Sequence, residues 1–155
     1  MFNKSHLFSL THQGRTLLVK YLALTAVLHL VWETVQLPLY TLWREGTPPA
    51  IAFAVVHCTL GDVLIAFIAL GAAWLLAAPR DWPQGGFCRV ALVAGVLGVG
   101  YTAFSEWNNT VVTRSWAYSS FMPTFWGIGL SPIAQWIVIP CTAWSYLRRP
   151  LRFSP

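Results

Sequence analysis

Residues 17–43 read LLVKYLALTAVLHLVWETVQLPLYTLW. About 20 predominantly apolar residues cross the roughly 30 Å hydrocarbon core of a bilayer as a helix, so this block is long enough to span. It is also too long, and too lacking in an A-x-A site, to be a cleaved signal peptide. Yet Thr25, His29, Glu33 and Gln36 lie inside it. At 100° per residue these four and Tyr40 share a stripe about 80° wide, while Leu24, Val31 and Leu42 fall on other faces. A span with one polar face must turn that face toward other helices or a wet cavity, and this requirement points to a bundle.

Three further apolar blocks supply the partners. One runs from about residue 50 to 78, opened by Pro48-Pro49 and closed by Pro79-Arg80; another covers about 88–107, and the last about 129–147, ending against Arg148-Arg149. Residues 108–128, rich in Ser, Thr and aromatics, read as a long outer loop between the third and fourth helices. The expected fold is all-α: a four-helix transmembrane bundle forming one integral membrane domain over residues 1–155.

Composition agrees. The 155 residues are 56% apolar and only 10% charged, against about 25% charged for soluble domains. A soluble enzyme, a disordered tail and a disulfide-stapled secreted module are thereby excluded. The net charge of +5 does not indicate nucleic acid, because the basic residues sit at the ends of apolar blocks and not on a folded polar face. Cys58, Cys88 and Cys141 stand singly with no C-x-x-C pair, as expected of core or interface residues.

Basic residues near span ends are retained on the cytoplasmic side. Lys4, Arg15 and Lys20, then Arg80 and Arg89, then Arg148, Arg149 and Arg152 fall on one side of a four-span chain, leaving only Arg44 and Arg114 on the other. The expected topology is a multi-pass protein of the cell inner membrane with both termini cytoplasmic. Tyr40, Trp43, Trp107, Trp116, Tyr118 and Trp126 would then form the outer aromatic belt.

Three of the five acidic residues, Glu33, Asp62 and Glu106, fall in or at the edge of spans, where a charge costs roughly 2.5–3.5 kcal/mol to insert. Gly95, Gly98, Thr102, Ser105, Glu106 and Asn109 share a face about 100° wide on the third helix, and Ser131, Gln135, Thr142 and Ser145 align on the fourth. On the second, Cys58, Thr59 and Asp62 share a side, whereas His57 lies about 140° from Asp62 unless Gly61 distorts the helix. By rise per residue, Glu106 is within a turn or so of the outer interface, Gln36, His57 and Gln135 about 10 Å deep, Glu33 about 15 Å, and His29 and Asp62 roughly 20 Å. The polar set thus describes a pocket opening toward the periplasmic side, capped by the loop carrying Trp116, Tyr118 and Met122-Pro123.

Four uses of such a pocket differ in chemistry. His29 and Glu33, at i and i+4, could hold a divalent metal (zinc, iron or manganese) with His57, Asp62 or Glu106 completing the set. Glu33 and Asp62 could instead act as acids, with His29 positioning or relaying a proton, on a lipophilic small molecule held by Gln36, His57, Glu106, Asn109 and Gln135 and walled by Trp32, Trp107 and Trp136. A chain of Asp, Glu and His also suits a proton- or ion-coupled carrier, for which a homo-oligomer would extend the path. Finally, polar stripes can simply join helices in a non-catalytic membrane subunit or assembly factor.

The runs His29-Leu-Val-Trp-Glu33-Thr-Val-Gln-Leu-Pro-Leu-Tyr40, His57-Cys-Thr-Leu-Gly-Asp62, Ser105-Glu-Trp-Asn-Asn-Thr110, Ser115-Trp-Ala-Tyr118 with Met122-Pro123, and Gly129-Leu-Ser-Pro-Ile-Ala-Gln-Trp136 resemble a group of small bacterial four-span membrane proteins over nearly the whole chain. That resemblance implies the fold and no activity. His29 and Glu33 also resemble the intramembrane His-x3-Glu pair of the emopamil-binding-protein (EXPERA) superfamily. There, a four-helix core uses this pair and further acids to isomerise sterols or hold lipophilic amines. The superfamily's late-helix Asn and Trp have Gln135-Trp136 as a loose counterpart.

Overall fold

The computed structural model describes residues 12–151, with side chains through 149. Lys4 and Arg152 of the charge count lie outside them. The chain is mostly helical, with α1 (His12–Gln36), a short α2 (Leu42–Glu45), α3 (Pro48–Ala77), α4 (Phe87–Trp107) and α5 (Leu130–Leu151). The two-residue strands β1 (Thr124–Phe125) and β2 (Ile128–Gly129) pair antiparallel just before α5.

The boundaries follow local chemistry. Pro38 cannot continue α1, and the chain there tightens into a single 3-10 turn, Leu37–Leu39. The first block is therefore one long helix plus two short turns, not a continuous helix to Trp43. Pro48 and Pro49 sit in the first turn of α3, where missing amide donors cost nothing. Gly86 enters α4 at φ +66°, a left-handed conformation suited to glycine. At its far end α4 relaxes into a π-helical turn, Asn108–Val112.

Among the described residues, α1, α3 and α4 with their short extensions are long and apolar enough to cross a membrane. α5 is not one of them: Gln135, Thr142, Ser145, Arg148 and Arg149 lower its hydropathy over 22 residues. The four long helices nevertheless pack as a ring, α1 against α3 and α5, and α4 against α3 and α5. Their outward faces remain apolar, with Val35, Phe53, Leu76, Leu92 and Val96 exposed. Such a surface is out of place in water and suited to lipid.

The ring has two unlike ends. Where α1 and α4 begin, Tyr21 stacks on Trp144 at 4.2 Å and Phe87 meets the same indole edge-on at 5.3 Å, inside a core of Leu17, Leu70, Val90 and Leu147. Toward the end where α1 and α4 finish lie the buried polar residues Thr25, His29, Glu33, Gln36, Thr59, Thr102, Glu106 and Gln135, beside the apolar Leu37, Met122 and Trp136.

Candidate functional site

Gln135 is the centre of the polar end. Its amide nitrogen lies 2.8 Å from His29 Nδ1, 2.9 Å from Glu33 Oε1 and 3.0 Å from Asp62 Oδ2. One side chain on α5 therefore joins two residues of α1 and one of α3. His29 Nδ1 also lies 3.1 Å from Asp62 Oδ2, the one ion-pair contact among the described residues. The indole of Trp136 donates to the other Asp62 oxygen, Oδ1, at 3.0 Å.

A second chain of donors reaches Glu33. Trp32 Nε1 donates to Ser131 Oγ at 3.2 Å, Ser131 Oγ to Gln36 Oε1 at 2.8 Å, and Gln36 Nε2 to Glu33 Oε1 at 2.8 Å. An indole N–H can only donate, so Trp32 fixes the direction of this chain and Trp136 that of the other. Both lines of donors end on carboxylate oxygens.

A His29 with its ring proton on Nδ1 fits these contacts. The Gln135 amide has two protons and three neighbouring acceptor positions. Its protons satisfy Glu33 and Asp62, and the His29 Nδ1 proton goes to Asp62. In that tautomer the other ring nitrogen, Nε2, is the one with a free lone pair; it is buried and has no partner among the described residues. An unmet buried polar atom costs about 1–3 kcal/mol; Thr102 Oγ1 and Trp144 Nε1 are likewise buried without a partner among the described residues, and of these groups only the imidazole can act as a base.

The site is closed. Exposure is 0% for His29, 1% for Gln135, 5% for Gln36 and 9% for Glu33, and 13% for the Asp62 side chain. Gln135 fills the space in which the sequence suggests an outward-opening pocket, and Trp136 seals one wall with its ring 5.2 Å from that of His29. Trp136 can lie so deep because α4 has a glycine opposite: a Cβ at Gly98 would overlap the indole.

Glu106 belongs to a different arrangement. Its Oε2 accepts a 2.5 Å hydrogen bond from Tyr118 Oη, and the same oxygen of Tyr118 accepts from the Gly129 amide at 2.9 Å. Burial, and then the Glu106 carboxylate, push the Tyr118 phenol above its ordinary range, so it stays a donor. The loop is further tied to the end of α1: Thr41 N donates to Ala117 O, Ser119 N to Leu39 O, and Ser119 Oγ to Pro38 O. This latch fixes residues 117–119 across the polar end.

Several expected site residues are not brought into the cluster. His57 is exposed and stacks on Phe53 at 5.5 Å, because α3 runs unbroken through Gly61 and keeps it about 140° from Asp62. Trp107 is exposed beside Phe104. Asn109 donates to Ser105 O and Oγ one turn back, closing α4 and not lining a pocket. No group of three His, Cys, Asp or Glu side chains among the described residues could hold a metal ion. His29, Glu33 and Asp62 instead surround an amide nitrogen. The divalent-metal set with His57 and Glu106 is accordingly not assembled.

Sequence periodicity missed two partners. Trp136 is expected as apolar wall and is a hydrogen-bond donor to Asp62. Tyr118 is expected as a cap and is specifically the partner of Glu106. No family model matches the chain, and no curated protein or solved structure matches it either.

Proposed function

We propose that the chain is a four-span inner-membrane protein, both termini cytoplasmic, whose His29–Glu33–Asp62–Gln135 cluster is an acid–base site for a lipophilic small molecule. The carrying observation is the bare, buried Nε2 of His29, backed at Nδ1 by Asp62. A neutral imidazole so held is a general base: a proton accepted at Nε2 makes an imidazolium whose charge the Asp62 carboxylate offsets. Returning that proton to a second atom of the same substrate isomerises it with no net consumption. Gln135 and Gln36 hold Glu33 within the same cluster as the second carboxyl.

The closed site calls for entry through the bilayer, which suits an apolar substrate. α5 would complete the fourth span. It brings Ser131 and Gln135 inward, and α1 and α4 flank it on either side. The likeness of His29 and Glu33 to the EXPERA pair supports the same reading.

The alternative reading, helix joining in a non-catalytic subunit, draws on the near-complete burial of the cluster. His29→Ala and Glu33→Gln, purified in detergent, separate the two. An acid–base site predicts that a lipophilic compound extracted from wild type and identified by mass spectrometry is lost from both variants under conditions where each still purifies folded, whatever stability the cluster also contributes. Loss of thermal stability with no such compound in wild type would leave helix joining as the function.

A further inference from the structure

On the far end of the ring, α4 and α5 leave an apolar groove that the acid–base reading does not use. A cavity of about 700 Å³ lies between Gly95 and Gly100 of α4 and Trp136, Pro140 and Trp144 of α5, with Arg148 at one end. A second cavity, about 310 Å³, adjoins it there: Phe87, Cys88 and Arg148 line both, and Arg89 and Gln84 complete the smaller one. An apolar tail-shaped space thus meets a compact basic one.

We propose that this is a binding site for one anionic phospholipid of the surrounding bilayer, its acyl chain in the groove and its phosphate between Arg89 and Arg148. The dimensions fit. From Cys88 to Gly100 the groove runs about 18 Å along α4, close to the roughly 15 Å half-thickness of the hydrocarbon core, so it accepts a chain from one leaflet only. The charges fit as well. Neither arginine has a carboxylate within ion-pair distance among the described residues, and Arg89 is held in place by its Nε donating to Ala77 O at 2.8 Å. Basic pockets between spans recognise anionic headgroups, each cation contributing about 1 kcal/mol near the surface. The glycines keep the groove open: a Cβ at Gly95 or Gly100 would meet nothing within 4 Å. A larger side chain at either place would therefore enter the groove without disturbing the helix packing.

Native mass spectrometry of the full chain in detergent, titrated with dioleoyl phosphatidylglycerol or dioleoyl phosphatidylcholine, tests this. The expected result is one bound lipid per monomer with at least about fivefold preference for the anionic one. Arg148→Gln should bring that preference below about twofold, and Gly95→Leu should weaken binding of both lipids at least fivefold. Gly71→Leu, which also adds its side chain to open space but on α3, should bind as wild type. Equal binding of the two lipids by wild type, or wild-type binding by Gly95→Leu, would overturn the proposal. So would a wild-type dimer that Gly95→Leu converts to monomer with lipid binding unchanged, since the groove would then belong to a second copy of the chain.

Discussion

The two ends of the helical ring are built on opposite principles. At the end where α4 begins, Tyr21, Phe87 and Trp144 pack by area and ring geometry, and many shapes of similar volume would serve. At the other, Gln135, His29, Glu33 and Asp62 are held by directed hydrogen bonds that converge on one amide nitrogen. The first end can lose detail and keep the fold. The second cannot lose one member without leaving others buried and unmet, a cost that a protein needing only cohesion would avoid with leucines. That difference is what the proposed function draws on.

Substitutions at each end break or sharpen this contrast. Trp144→Ala should have the largest effect, about 3–5 kcal/mol of stability by thermal or denaturant unfolding in detergent, because it empties the aromatic core. Trp144→Phe, keeping most of the ring, should recover the greater part of it. Gln135→Leu, similar in volume, should still cost about 2–3 kcal/mol, since it strips donors from two carboxylates at once. If instead Gln135→Leu were neutral, the polar end would be as permissive as the aromatic one and the contrast would collapse.

Tyr118→Phe comes next, at about 1.5 kcal/mol for a bond to a carboxylate, seen as faster amide hydrogen exchange over residues 113–123. The sign with pH follows from the raised phenol. The latch is complete below the ordinary tyrosine range and is lost only as pH rises through the higher, folded-state value. His57→Ala should be the smallest change, within about 0.5 kcal/mol, as expected for an exposed side chain outside the cluster.

Much of the polar end was legible in one helical period. Thr25, His29, Glu33 and Gln36 share a face of α1 and are all buried together, and the angular distance between His57 and Asp62 already separated those two. Periodicity could not show Trp136, because it is 100° from Gln135 on α5. Only a carboxylate with two oxygens, set between them on α3, lets adjacent residues converge on one partner. Nor could it show Tyr118, since a loop has no period and its register depends on backbone pairing with residues 39–41. The open pocket was inferred from polar residues without partners. In three dimensions most of those residues partner one another, and His29 Nε2 and Thr102 Oγ1 are left buried without a partner among the described residues.

The His29 Nε2 lone pair is the most direct test. Histidine-selective ¹⁵N NMR of the full chain in detergent, with the His29 signals assigned by their loss in His29→Ala, reads both ring nitrogens separately. A protonated Nδ1 and an unprotonated Nε2 near neutral pH is the result expected of a base waiting for its substrate. A proton on Nε2 would contradict it and leave the polar end with cohesion alone.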